Sequence, residues 1–128
     1  MVIDSSALVA AQLKEPGWEF IIKKIESSPL TLVGGPTLLE TVIVLTHRIG
    51  SDAHSMLAMF LRHFRIQVVP FTEEHFDIAA DAFLKYGKGR HPAALNFGDC
   101  MSYAIANLSG LPLLYTGNDF AQTDIQSA

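Results

Sequence analysis

The sequence contains very little cysteine, with Cys100 alone among 128 residues. A single cysteine excludes an intrachain disulfide and a zinc site built from several cysteines. A chain of this kind suits a reducing compartment, so we expect it in the cytoplasm. No apolar run approaches the ~20 residues that a membrane-spanning helix needs. The first residues reach Asp4 without a basic segment, so we also expect no secretory signal.

Charged residues are scarce as well, at 17% of the chain, whereas hydrophobic residues make up 49%. This composition is typical of a compact globular protein and not of a disordered one. The length suits a single domain that spans residues 1–128. The formal net charge is −4, which differs from the basic surface typical of nucleic-acid-binding proteins.

Short apolar segments alternate with helical patterns along the whole chain. Strands are predicted at residues 1–4, 30–34, 66–69 and 113–115, with a short last strand near 124–125. Helices are predicted at residues 5–13, with Ser5 or Ser6 as N-cap, and at 18–27, 36–49, 52–64, 72–86 and 98–108. Strands without polar alternation, separated by helices, indicate a parallel sheet buried on both faces. The sequence therefore predicts a three-layer α/β fold with a central, mainly parallel sheet of four to five strands.

Three acidic residues stand alone within apolar segments. Asp4, Glu40 and Asp99 each have no other charged residue within seven positions on either side. A carboxylate isolated in a buried element is costly unless it is paired or bound to a metal. Because no lysine or arginine is near these acids in the sequence, the pattern favours a metal site over ion pairing.

The predicted elements can bring these acids together with a fourth. Asp4 and Asp119 lie at or just beyond the ends of the first and fourth predicted strands. Glu40 lies in the first turns of the helix after the second strand, and Asp99 opens its own helix. In an open parallel sheet, sites form outside the carboxyl ends of the strands, so all four acids can converge on one edge.

A cluster of four carboxylates has a chemical consequence. The acids would raise one another's pKa, and a hard divalent cation removes that conflict. Oxygen-only ligands favour Mg²⁺ or Mn²⁺, which can polarise a phosphoryl oxygen and activate a water for phosphodiester hydrolysis. The four acids also account for the whole net charge of −4, so with a bound cation the site need not repel a phosphate chain.

Each acid has a purely structural interpretation too. Asp4 and Asp99 can act as helix caps, and Asp119, which follows Gly-Asn, can be a turn residue. Glu40 has the weakest alternative, because an acid among Leu, Val and Ile within a helix caps nothing.

Four segments carry these acids. They are Met-Val-Ile-Asp-Ser-Ser at 1–6, Pro-Thr-Leu-Leu-Glu at 36–40, Leu-Asn-Phe-Gly-Asp-Cys at 95–100 and Leu-Leu-Tyr-Thr-Gly-Asn-Asp-Phe at 113–120. In order and spacing they resemble the PIN-domain family, and within it the VapC-type toxins of bacterial toxin–antitoxin pairs. The resemblance covers the whole chain, and the first, third and fourth segments together make it specific.

The resemblance implies a PIN-like α/β sandwich and an Mg²⁺- or Mn²⁺-dependent endoribonuclease that acts on cellular RNA. It also implies a homodimer that a cognate antitoxin holds inactive. By this resemblance Asp4 and Asp99 are the main direct metal ligands, with Asp119 close by, and Glu40 acts through metal-bound water. The resemblance also implies three supporting residues. Ser6 and Thr116 orient acids or water by hydrogen bonds, and Asn118 steadies the turn.

A basic, glycine-containing loop precedes the third segment. Lys85, Lys88 and Arg90 surround it and are candidates for holding RNA phosphates on a mobile lip. The alternative is an ordinary solvated surface loop.

Two other functions compete with the ribonuclease. A non-catalytic interaction module could keep the fold, although such a scaffold gains nothing from four clustered acids. A phosphatase of the haloacid-dehalogenase kind would also place an acid such as Asp4 after the first strand. That chemistry needs a second aspartate two residues later, where Ser6 stands, and a lysine suitably placed before Asp99, which is missing.

Overall fold

The computed structural model describes residues 1–128 and contains one four-stranded sheet. The strands are Val2–Ile3 (β1), Leu32–Gly34 (β2), Gln67–Val69 (β3) and Leu113–Leu114 (β4). They lie in the order β3-β2-β1-β4, and every pairing is parallel. The predicted α/β class with a parallel sheet is therefore confirmed.

Six helices surround the sheet and agree closely with the predicted segments. They are Ser5–Leu13 (α1), Trp18–Ser27 (α2), Gly35–Ile49 (α3), Ala53–His63 (α4), Glu73–Tyr86 (α5) and Phe97–Ser109 (α6). Gly50 and Gly110 end α3 and α6 in the left-handed region that glycine adopts without strain. None of the helices combines the length and apolar character that crossing a membrane requires.

Neighbouring strand residues face opposite layers of the molecule. Val2 and Leu113 pack into a core against α5 and α6, whereas Ile3 and Leu114 pack into a second core against α1 and α2. Burying each such aliphatic side chain stabilises the fold by about 1.5–3 kcal/mol. The sheet is therefore covered on both faces, which explains why its strands show no polar alternation.

The predicted last strand near residues 124–125 is wrong. The C-terminal segment instead forms an isolated parallel bridge between Leu113 and Ser127. Leu113 N donates to Gln126 O at 2.8 Å, and Ala128 N donates to Leu113 O at 3.0 Å. Asp124 lies outside the sheet, and its carboxylate accepts a hydrogen bond from Tyr103 on α6 at 2.7 Å.

The order of the strands decides where a site can form. From β1 the chain moves to β2 and β3 on one side, and it returns to β4 on the other side of β1. The connections therefore diverge at the carboxyl end of β1, where open α/β sheets place their ligands.

Candidate active site

Asp4 lies at this point, directly after β1, and is 2% exposed. It is the N-cap of α1, so the expected cap at Ser5 or Ser6 is corrected by one or two residues. Its Oδ2 atom accepts hydrogen bonds from Ser6 N at 3.0 Å and from Ser6 Oγ at 2.6 Å. Its Oδ1 atom is buried and has no hydrogen-bond partner. Helix capping therefore explains only Oδ2. Burying Oδ1 without a hydrogen-bond partner is energetically unfavourable.

Ser6 links Asp4 to the segment after β4. Its hydroxyl donates to Asp4 and accepts from the backbone N–H of Thr116 at 3.1 Å. Ser6 therefore stands where the predicted orienting role needs it. The Thr116 residue is exposed and its hydroxyl is in no hydrogen bond within the chain, so its link to the site here is its backbone N–H, and its orienting role stays a prediction.

Glu40 reaches the same edge from the second turn of α3. Its carboxylate lies against the backbone of Gly98 in the first turn of α6. Burial raises the pKa of Glu40, the charge of Asp4 raises this pKa further, and the Ser5 hydroxyl opposes both effects. The carboxylates of Glu40 and Asp4 are therefore close enough to repel each other.

Buried hydroxyls hold α3 against α6 beneath this contact. Thr37 Oγ1 and Ser102 Oγ are 3.2 Å apart, and Thr41 Oγ1 donates to Thr37 O at 2.7 Å. All three residues are buried. Sequence reasoning missed them, although hydroxyl residues spaced four apart on the apolar face of a helix are a detectable pattern.

Asp99 belongs to a capping box at the start of α6. Its Oδ2 atom accepts from Asn96 N at 2.9 Å, and Asn96 Oδ1 accepts from Asp99 N at 2.9 Å. The pKa of Asp99 is raised to about 6, mainly by burial, although the hydrogen bond from Asn96 N–H lowers it. The charges of Asp4, Asp119 and Glu40 raise this pKa further. The structure thus brings all four predicted acids into one electrostatic cluster.

Asp119 occupies the most exposed position of the four. It precedes a short 3₁₀ turn, Phe120–Gln122, whose Phe120 side chain is 2% exposed and packs on Tyr115 at 5.1 Å between ring centroids. The Asn118 side chain makes no hydrogen bond, but its backbone oxygen accepts from Ala121 N at 3.1 Å. The turn is therefore steadied by the backbone of Asn118 and by the Phe120 anchor.

The fit of a cation can be judged from the donors themselves. As the side chains stand, no three acidic, histidine or cysteine groups are placed to hold a metal ion together. However, the donors are all carboxylate oxygens, one of them, Asp4 Oδ1, is buried without a partner, and the group is mutually repulsive. This chemistry suits a hard divalent cation, so the metal ligands stay a prediction that the donor set supports.

The basic loop is more constrained than expected. Lys88 N donates to Leu95 O and Leu95 N donates to Tyr86 O, both at 3.0 Å, so hydrogen bonds close the base of the predicted mobile lip. Lys85 Nζ lies 3.3 Å from Asp124 Oδ2 and forms an exposed ion pair with the C-terminal segment. Lys88 and Arg90 are exposed, and the role of all three basic residues in RNA binding stays a prediction.

An apolar surface adjoins the acids. Glu40 and Gly98 line a cleft of about 620 Å³ between α3 and α6 whose other walls are mostly apolar. The large apolar side chains here are strongly exposed, with Phe97 at 77% and Leu39 at 63%. Phe76 and Phe83 of α5 continue the surface beyond Phe97. Exposed apolar area of this extent is typical of a surface that another molecule covers.

Comparison with known proteins gives a consistent result. A family model described as the PIN domain matches residues 1–126. Ribonuclease VapC36 of Mycobacterium tuberculosis is 43% identical over 127 residues, covering 98% of this chain and 91% of the relative. Ribonuclease VapC30 of the same species is 42% identical, covering 98% and 95%. Ribonuclease VapC of Mycolicibacterium smegmatis is 41% identical, covering 98% and 97%.

Two solved structures share the fold. Mycobacterium tuberculosis VapC20, described as a sarcin-ricin loop cleaving toxin, has a TM-score of 0.81 at 18% identity, covering 99% of this chain and 97% of that one. A chain of a toxin–antitoxin complex from Klebsiella pneumoniae has a TM-score of 0.68 at 18% identity, covering 96% and 92%. This chain therefore shares its fold, a parallel sheet with helices on both faces, with these two solved structures.

Proposed function

The chain belongs to the PIN domain family, and on this basis we propose that it is the endoribonuclease toxin of a toxin–antitoxin pair. Relatives at 41–43% identity over nearly the whole chain are named VapC ribonucleases. The observation that carries the proposal is Asp4, buried at the carboxyl end of β1 with one oxygen unpartnered and with three further acids around it.

The finer proposal is dependence on Mg²⁺ or Mn²⁺. Asp4 and Asp99 would be the main ligands, with Asp119 close by, because their oxygens form an all-carboxylate set. A bound divalent ion supplies a Lewis acid that polarises a phosphoryl oxygen and generates a nucleophile from water at neutral pH.

The protein's own groups have separate tasks in this hydrolysis. Ser6 holds Asp4 in place through its 2.6 Å hydrogen bond. Glu40, whose pKa is raised by burial, would act through metal-bound water, orienting it for attack and accepting its proton. Water oxygen joins the phosphorus as the bond from phosphorus to the 3′ oxygen breaks, and the departing 3′ oxygen takes a proton from solvent, so the products carry a 5′-phosphate and a 3′-hydroxyl.

Replacing the Asp4 carboxylate with the neutral amide of asparagine tests this function. Asp4→Asn keeps a good N-cap but removes the charge, so we expect cleavage of a mixed-sequence RNA in Mn²⁺ to fall by a factor of about 100 or more. Asp52→Asn is the matched control, because Asp52 caps α4 through the same kind of hydrogen bonds outside the site. EDTA should abolish cleavage by the parent protein.

The same experiment separates the alternatives. Full activity in EDTA or in Asp4→Asn would overturn the metal-dependent ribonuclease. No cleavage by the parent and no Mn²⁺ binding would favour a non-catalytic interaction module. A trapped aspartyl-phosphate on Asp4 would favour a phosphatase, although Ser6, a hydrogen-bonded hydroxyl, stands where that chemistry needs a second acid.

The proposed partners are RNA as substrate, a cognate antitoxin and a second copy of the chain. One structural neighbour was solved as a toxin–antitoxin complex, which supports an antitoxin. A small DNA-binding protein encoded directly upstream, co-purifying with this chain and suppressing its cleavage, would establish that partner. For the homodimer, the exposed apolar surface formed by Leu39, Ile43, Phe76, Phe83 and Phe97 is the proposed interface.

A further inference from the structure

Gly98 stands opposite Glu40 where α6 meets α3. A Cβ atom added to Gly98 would lie 2.6 Å from Glu40 Oε1 and 2.7 Å from Glu40 Cδ, and nearer still to Oε2. Cβ atoms essentially never lie this close to a non-bonded heavy atom, so an added Cβ would make the end of the flexible Glu40 side chain shift. The carboxylate of Glu40 therefore occupies the space that any other residue at position 98 would fill.

Backbone conformation does not explain this glycine. Gly98 lies in the first turn of α6 and is not among the residues with positive φ. Alanine is more favourable than glycine within a helix by up to about 1 kcal/mol. A glycine here thus forgoes helix stability, and the Glu40 carboxylate is the group that any added side chain would have to displace.

The two helices cannot simply separate to admit a larger residue. The buried Thr37–Ser102 contact joins them at 3.2 Å. On the same side, a Cβ on Gly34, next to the start of α3, would lie 2.9 Å from Ile105 Cγ1 of α6. Because these neighbouring contacts are close-packed, a side chain at position 98 displaces the Glu40 carboxylate rather than the helix.

We propose that Gly98 is a positioning residue that fixes the Glu40 carboxylate within the acidic cluster. The proposal rests on the proposed ribonuclease function, in which Glu40 orients the attacking water. Gly98 touches neither RNA nor the reacting atoms in this scheme. It acts by leaving room for the Glu40 carboxylate at a position close enough for it to sense the charge of Asp4.

Gly98→Ala tests the proposal, with Gly35→Ala as matched control. Gly35 also lies in the first turn of a helix, but its added Cβ would approach only Val69 O, at an ordinary 3.8 Å. We expect Gly98→Ala to lower kcat for RNA cleavage about tenfold to a hundredfold with little change in KM, as misplacement by about 1 Å does. Gly35→Ala should cleave RNA as the parent does.

A thermal-unfolding cycle in EDTA gives a readout that does not depend on activity. With Glu40 present, the cost of moving its carboxylate offsets part of the helix gain, so Gly98→Ala should raise Tm less than it does when Glu40 is absent. In the Glu40→Ala background the space is empty, so the same substitution should raise Tm by about 4 °C. Even a variant that folds poorly with Glu40 then recovers when Glu40 is removed.

The outcomes separate the two proposals. Equal Tm changes in both backgrounds, or a Gly98→Ala variant that cleaves as well as the parent, would overturn the role of Gly98. A parent protein that cleaves no RNA in Mn²⁺ would instead count against the ribonuclease function, whatever the unfolding cycle shows about the contact.

Discussion

The hydroxyl oxygen of Ser6 lies 2.6 Å from Oδ2 of Asp4 and accepts a hydrogen bond from Thr116 N at 3.1 Å. One side chain therefore connects the end of β1, the start of α1 and the segment after β4. This link determines the direction in which the buried Asp4 carboxylate presents its unpartnered oxygen.

Ser6→Ala should therefore weaken both fold and activity. Loss of a hydrogen bond to a charged group costs about 1.5–3 kcal/mol, and urea unfolding measures this loss. RNA cleavage should fall about tenfold, because Asp4 keeps its charge but loses its orientation. Ser27→Ala, whose hydroxyl contacts only the exposed Lys24 O, should change neither. Equal activity of Ser6→Ala and the parent would contradict the orienting role.

Asp99 should make the metal-free protein less stable as pH rises. Its folded-state pKa of about 6 lies above its ordinary value of 3.8, so the folded state binds its proton more tightly than the unfolded chain. The free energy of unfolding should therefore decline as pH rises from about 4 through about 6, and level off above. Urea unfolding in EDTA across this range measures the effect.

Asp99→Asn removes the contribution of Asp99 to that dependence and keeps an oxygen for Asn96 N–H, while Glu40, whose pKa is also raised, still contributes. At pH 8 the variant should be more stable than the parent by about 1 kcal/mol, after allowance for solvent screening of a partly exposed group. The difference should vanish below about pH 4. Asp81→Asn, at an exposed position on α5, is the control, and a stability difference independent of pH would contradict the assignment.

Phe120 should anchor the segment that carries Asp119. Phe120→Ala removes a side chain that is almost completely buried and should cost about 3–5 kcal/mol of unfolding free energy. Because Asp119 precedes this anchor directly, Mn²⁺ affinity, measured by calorimetry below the Tm of the variant, should also fall. Phe20→Ala, at a 58% exposed position, should cost about 0.5 kcal/mol or less and leave Mn²⁺ affinity intact.

The proposed dimer surface predicts a change in mass. Phe76→Glu places a charge within the apolar surface and should convert a dimer to a monomer in sedimentation experiments, because an unpaired charge in an apolar interface is costly. Met59→Glu, at an exposed position on α4, should leave the parent's mass unchanged. A monomeric parent at micromolar concentration would contradict the proposed interface.

The sequence by itself determined the order and type of the main elements. Apolar strands without alternation, helical periodicity and glycines after α3 and α6 are local features, and the structure confirms them within one or two residues. The isolation of Asp4, Glu40 and Asp99 from other charges is equally local. The gathering of the acids followed from a general property of parallel sheets, and the structure agrees with it.

Only the tertiary structure decided how these residues are held. The Ser6–Thr116 hydrogen bond spans 110 positions and the Thr37–Ser102 contact spans 65, so no local pattern could reveal either pair. The same holds for Lys85, whose partner Asp124 is 39 positions away, and for the final bridge to Leu113 that replaced the predicted strand. Gly98 is the clearest case. Its importance lies in the space between α3 and α6 that the Glu40 carboxylate occupies, and this space exists only after the two helices have packed.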